Sequence, residues 1–202
     1  MSADSYDFAE RPGDSPTSPV IFLFHGTGGD EHQFLDLAAQ LLPGARRVAP
    51  RGDVSEGGAA RYFRRLAEGR YDMADLGRAT AKMRGFINGA IGEARPSQVV
   101  GFGYSNGANI LAAVQMEDAT LFDTTVLLHP LIPFEPEPQP GLAGRRVLIT
   151  AGRRDPICPP PATEALADWY RKQGAELELF WHDGGHEIRQ EELAAARAFL
   201  DR

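Results

Sequence analysis

The sequence predicts an α/β fold: a mostly parallel central sheet of about seven strands with helices on both faces. Three observations predict it. Short apolar runs alternate with longer amphipathic stretches, the rhythm of strand and helix units that build a parallel sheet. The 202 residues suffice for a sizeable core and favour a single domain over 1–202, with 1–18 a weakly structured N-terminal segment. Composition, 43% hydrophobic and 24% charged, is that of an ordinary globular chain, and no repeat of solenoid or propeller period is present.

Taken in order, strands are expected over Tyr6–Glu10, Val20–His25, Arg46–Ala49, Gln98–Gly103, Thr124–His129, Arg146–Ala151 and Glu176–Trp181. Helix Glu31–Leu42 places Phe34, Leu37, Ala38, Leu41 and Leu42 at helical spacing and stops at Pro43-Gly44. Helix Asp75–Ala94 gathers Leu76, Ala79, Met83, Phe86, Ile87 and Ile91 on one face. Helices Asn106–Glu117, Pro161–Lys172 and Glu191–Leu200 complete the set. Two segments break the rhythm. Arg51–Tyr71, first glycine-rich and then basic and aromatic, reads as a long functional loop, and the Pro/Glu alternation of Ile132–Gly144 reads as an extended surface connection.

A formal net charge of −7 and dispersed basic residues argue against a nucleic acid partner. No run approaches the roughly 18 apolar residues of a membrane span, so no membrane association is expected. The N-terminal MSADSYDFAERPGDSPTSP is polar and acidic, unlike a secretory signal, and the default expectation is a cytoplasmic protein. Cys158 stands alone and cannot form an intrachain disulfide; near Asp155 it reads as a packing residue, with redox sensitivity as the alternative.

Gly103-Tyr104-Ser105-Asn106-Gly107 follows an apolar strand and opens a helix, the context in which G-x-S-x-G presents a serine hydroxyl as a nucleophile. The competing reading is a serine N-cap at an ordinary strand-to-helix turn. A hydroxyl needs a base, and the base an orienting acid, in the chain order serine, acid, histidine. Of the histidines after Ser105, His129 precedes any acid loop and is a wall of the cleft at best, while His182 ends the last strand. His186 follows Gly184-Gly185 on a loop and is the expected base. Asp155, just past a strand where carboxyl ends gather, is the expected acid; Asp123 falls at the wrong end of the sheet, and Asp183 bypasses the strand-end loop.

His25-Gly26-Thr27-Gly28-Gly29 directly after a strand resembles the glycine-containing oxyanion loop of esterases, which assigns the oxyanion hole to the backbone N–H groups of Thr27 and Asn106. His25 itself reads as structural. The lysine and spacing of a P-loop, the dinucleotide fingerprint and zinc-type spacings are missing, so the loop does not read as a phosphate or dinucleotide site and no metal is expected.

HGTGGDE, the PRG after the third strand, GYSNGAN, GRRDP and GGHE occur in the order found in the phospholipase/carboxylesterase branch of the α/β-hydrolase superfamily. The resemblance runs from about Val20 to the C-terminus. Within that branch the chain looks most like small bacterial hydrolases related to those of methylhydroquinone resistance, and less like acyl-protein thioesterases. The resemblance implies a compact α/β-hydrolase fold without a large lid domain, no cofactor, and action on carboxylic esters or thioesters, giving a carboxylesterase of a small-molecule ester with an acyl-enzyme on Ser105. An acyl thioesterase, a lactone or quinone-conjugate hydrolase and a non-catalytic ligand-binding relative are the alternatives, and a monomer or homodimer is expected.

Arg61-Tyr62-Phe63-Arg64-Arg65 occupies the place of an apolar, neutral loop bordering the acyl groove in the thioesterase relatives. We expect one of the arginines to hold a substrate carboxylate, with Tyr62 and Phe63 walling a ring or short acyl group. Arginines paired to nearby Glu or Asp on an amphipathic turn are the alternative.

Overall fold

Parallel strands covered on both faces are mostly apolar, and the central runs Val20–Phe24 and Thr124–Leu128 are buried at every residue. The structure, a computed structural model, describes residues 6–93 and 96–202. Its sheet has seven strands in the order β1 (Phe8–Arg11), β3 (Arg46–Pro50), β2 (Val20–Phe24), β8 (Val99–Tyr104), β9 (Thr124–Leu128), β10 (Arg146–Gly152) and β11 (Glu176–His182). Edge strand β1 pairs antiparallel with β3, and every other neighbouring pair is parallel.

Alternation along β2 separates two cores. Val20, Phe22 and Phe24 join one buried cluster with α2 (Met73–Ile91), α3 (Asn106–Glu117) and α4 (Pro160–Lys172). Ile21 and Leu23 join the other, with α1 (Leu35–Leu41) and α5 (Gln190–Leu200). Each fully buried Phe or Leu contributes about 1.5–3 kcal/mol through apolar area removed from water.

Most predicted strands lie within a residue or two of the observed ones. The segment 1–18 differs: Phe8–Arg11 is a paired strand, and residues 1–5 lie outside the described residues. Helix α1 starts four residues later than expected, because Asp30 Oδ1 accepts the His32 N–H and Gln33 Oε1 accepts the Gly26 N–H, holding this stretch in turns. Helix α2 starts two residues early, where the Asp72 side chain caps the Asp75 N–H; its expected end at Ala94 lies outside the described residues. The loop Arg51–Tyr71 resolves into two small hairpins, β4 (Val54–Glu56) with β5 (Ala59–Arg61), and β6 (Arg65–Ala67) with β7 (Arg70–Tyr71). Ile132–Gly144 is extended apart from a 3-10 turn at Pro140–Leu142. Among the described residues, no helix is long and apolar enough to cross a membrane.

Candidate active site

Strand β8 ends and helix α3 begins around Ser105, whose φ is 53°. A non-glycine residue in this region carries strain of about 1–3 kcal/mol, which the surroundings must overcome. The serine side chain makes no capping hydrogen bond to the helix, so the N-cap reading of Ser105 fails. The flanking glycines permit the turn sterically: a Cβ at Gly103 would sit 2.6 Å from the Gly107 carbonyl oxygen, and one at Gly107 would sit 2.2 Å from the Phe24 carbonyl oxygen. Replacing Gly107 by alanine is therefore expected to cost stability by about 1–3 kcal/mol through overpacking against backbone. Thermal unfolding checks this, with an unchanged Tm as the contrary result.

The freed hydroxyl points away from the helix. Ser105 Oγ lies 2.8 Å from His186 Nε2, and His186 Nδ1 lies 2.7 Å from Asp155 Oδ2. The loop after β11 carries His186, and Tyr104, the variable residue before the serine, anchors that loop by donating its hydroxyl to the His186 carbonyl at 2.8 Å. Asp155, only 3% exposed, follows β10. Its Oδ1 accepts the N–H groups of Ile157 and Cys158 at 2.8 and 2.9 Å. Burial alone would raise its pKa, but donors from His129, His186 and these two amides outweigh burial and hold it well below the usual carboxylate range. Such a chain can accept a proton from Ser105 while a fixed negative charge orients and stabilises the imidazole.

Behind Asp155 lies a second, fully buried group that the sequence did not reveal. His129 Nδ1 approaches the same Oδ2 at 2.9 Å, while His129 Nε2 faces the Glu192 carboxylate at 3.3 and 3.4 Å. Glu192, inward-facing on α5, also accepts Thr150 Oγ1 and the Arg189 N–H, both at 2.6 Å. His182 Nε2 stands 3.3 Å from His129 Nε2. His129 is thus behind the acid, not on the cleft wall. Burial opposes charge on its ring, but the hydrogen bonds to Asp155 and Glu192 prevail and push its pKa from 6.5 up to about 9. A raised folded-state value contributes stability in full below pH 6.5, and that contribution is lost as pH rises through about 9.

The groups His129–Asp155–His186 and His129–His182–Glu192 have the composition of metal ligands. Their lone pairs are already committed. Gly184 N–H donates to His182 Nδ1 at 3.0 Å, which leaves that ring's proton on Nε2, the atom facing the cluster, and both Glu192 oxygens accept other donors.

Facing Ser105 from the other side is the loop after β2. The N–H groups of Gly26, Gly28 and Gly29 are taken by Gln33 Oε1, Ala60 O and Gly26 O. The Thr27 N–H has no intramolecular acceptor among the described residues, and Thr27 and Asn106 both line a cavity of about 190 Å³ with Ser105 and His186. His25 is buried: its Nε2 accepts the Gly52 N–H at 2.9 Å, a bracing contact.

The five residues expected at the substrate loop separate. Arg61, 3% exposed, and Arg65 line the cavity. Arg64 turns outward to Asp72 and Asp75. Tyr62 and Phe63 belong to the core and do not wall the cleft. Their apolar area drives them inward, and the Tyr62 hydroxyl is consumed inside by the Pro50 carbonyl and the His25 N–H. Tyr71, Leu131, Ile157 and Cys158 form walls that the motifs did not point to, together with Asn109, the last residue of GYSNGAN. Cys158 is buried, and burial pushes its thiol well above the ordinary range, away from thiolate reactivity.

A Bacillus subtilis (strain 168) protein named "Putative hydrolase MhqD" is 38% identical to this chain over 180 residues, covering 88% of this chain and 90% of that protein. The chain belongs to the phospholipase/carboxylesterase branch of the α/β-hydrolase superfamily. This α/β hydrolase is also similar to a solved structure, the Agrobacterium tumefaciens protein Atu2452 of unknown function, with TM-score 0.95 and 55% identity across 100% of this chain and 98% of that one. The Bacillus cereus carboxylesterase matches with TM-score 0.88 and 35% identity over 96% of this chain and 92% of its own. No family model matches the chain.

Proposed function

We propose that this α/β hydrolase is a serine carboxylesterase acting on small esters through an acyl-enzyme on Ser105. One observation carries the reading: a strained, uncapped Ser105 placed 2.8 Å from His186, which is in turn 2.7 Å from a buried Asp155. His186 takes the hydroxyl proton as Ser105 Oγ bonds to the ester carbonyl carbon, and the Thr27 and Asn106 N–H groups hold the oxyanion. The ester C–O bond then breaks, the alcohol leaves with the proton from His186, and water repeats the steps to free the acid. The similarity to the Bacillus cereus carboxylesterase supports an ester as substrate.

Size argues for a short acyl group. The cavity of about 190 Å³ at Ser105 is below the 300–1,000 Å³ of sites for drug-sized ligands. A larger groove of about 810 Å³, between Ile132–Pro138 and α4, includes none of Ser105, Asp155 or His186.

Charge narrows the proposal further. Arg61 donates to Thr27 Oγ1 at 2.8 Å and meets the Glu56 carboxylate at 3.3 Å, whereas Arg65 is held by both Glu56 and Glu68. Arg61, the more buried of the two and the one that contacts Thr27, is the arginine we assign to a substrate carboxylate, which would replace its single carboxylate partner Glu56. Arg61→Gln is expected to reduce kcat/KM for a carboxylate-bearing ester about 10- to 100-fold more than for its neutral counterpart, the range of a charged hydrogen bond. Paired measurements on hemisuccinate and butyrate p-nitrophenyl esters check it; equal losses would leave Arg61 a brace for Thr27 only.

A further inference from the structure

We infer that His129 is a positioning residue of the active site: held as an imidazolium between Asp155 and Glu192, it shares the acid with His186 and tempers the pull of Asp155 on the His186 ring. The inference rests on the serine-hydrolase reading and adds to it a residue outside the triad.

Geometry comes first. Asp155 Oδ2 accepts from two imidazoles, His186 Nδ1 at 2.7 Å and His129 Nδ1 at 2.9 Å, so the acid's charge is divided between them. Among the described residues, the non-glycine residues with positive φ are Ser105 at 53° and His129 at 52°. The chain holds strain at the nucleophile and again at His129, and such strain persists where the fold over-determines a position. In His129 it aims the ring between two carboxylates that belong to different elements, Asp155 after β10 and Glu192 on α5.

Charge balance follows. Asp155 and Glu192 are both buried, and two buried carboxylates without a cation between them would be costly. A neutral His129 would turn a lone pair toward Glu192 at 3.3 Å, met only by the Nε2–H of His182; an imidazolium offers a donor to each carboxylate. His182 bears on this balance, because its Nε2–H stands 3.3 Å from His129 Nε2 and 3.6 Å from Glu192 Oε1, and beside an imidazolium it is directed to the carboxylate. His186 and Tyr104 have ring centres 5.1 and 5.9 Å away, and Cys158 Sγ donates to the His129 carbonyl at 3.3 Å.

The consequence concerns His186. Asp155 Oδ2, 2.7 Å from Nδ1, pulls on the His186 ring. A positive charge on the far side of the same oxygen weakens that pull.

His129→Asn tests this, because its amide can present a donor near the former Nδ1 position, asparagine tolerates positive φ, and the charge is gone. We expect the acid limb of kcat/KM for p-nitrophenyl acetate to move to higher pH by about one unit, with a smaller loss at the plateau. A lower plateau or Tm with the acid limb unmoved would mean packing alone and overturn the inference. Should the variant fail to fold, nitrogen NMR of the wild-type ring decides: both His129 nitrogens protonated at pH 7.5 supports it, and a neutral ring overturns it. Ser105→Ala in the same assay separates the levels: retained turnover defeats the serine-hydrolase reading, whereas a dead Ser105→Ala with a fixed acid limb in His129→Asn defeats this inference only.

Discussion

Ser105→Ala is expected to lower kcat for a short p-nitrophenyl ester by on the order of 10⁶-fold while the protein stays folded. In the proposed mechanism the hydroxyl bonds to the acyl carbon, and the other hydroxyls and the thiol that line the cavity are engaged elsewhere. Tyr104 donates to the His186 carbonyl and Tyr71 to the Leu131 carbonyl, Thr27 Oγ1 accepts from Arg61, and the Cys158 thiol is held protonated by burial. The alanine leaves the elbow backbone as it is, because both flanking glycines remain. A steady-state assay with circular dichroism on the same sample measures both halves of the expectation.

Asp155→Asn is expected to reduce kcat by about 10⁴-fold, through the tautomer of His186. The amide of asparagine has one acceptor and one donor end. The Oδ1 position faces the fixed N–H groups of Ile157 and Cys158, so the oxygen must remain there. The NH₂ group then occupies the Oδ2 position and meets His186 Nδ1 and His129 Nδ1. To accept that donor, His186 must move its proton to Nε2, the atom that has to receive the proton from Ser105. His129 meanwhile loses one of its two anionic partners in a buried site, a loss of about 3–5 kcal/mol. This variant should thus show both the kinetic defect and a Tm lower by on the order of 10 °C. A variant with wild-type kcat would contradict the role of Asp155, and one with an unchanged Tm would contradict the second partnership.

Much of this arrangement is legible in the sequence, for identifiable reasons. Central strands buried on both faces leave runs such as VIFLF that no turn residue interrupts, and helix Asn106–Glu117 was placed to the residue because a glycine-bounded serine marks its start. Ser105, Asp155 and His186 could be picked out because each sits on a loop just after a strand, where one period ends. Side-chain direction within short, irregular segments was less legible. In RYFRR the expected substrate loop reaches the cavity only through Arg61 and Arg65, whereas Tyr62 and Phe63 turn into the core and Arg64 faces solvent. The hairpins of Arg51–Tyr71 are only two or three residues per strand, too short to show a period.

His129 and its partners were missed because they meet only after three parts of the chain converge. One signal was present. Glu192 stands four residues before Ala196 and seven before Phe199, which puts a carboxylate on the buried face of α5. An acid in an apolar stripe requires a buried partner, and the unassigned His129 and His182 were the available ones.

The most direct test of the central claim is the identity of the atom that becomes acylated. Protein treated with a fluorophosphonate, or quenched with acid during turnover of a p-nitrophenyl ester, is digested and its peptides are weighed by mass spectrometry. The account predicts one adduct, on Ser105, that is lost in Ser105→Ala. An adduct on another residue, or full turnover in a protein whose Ser105 is never modified, would contradict it.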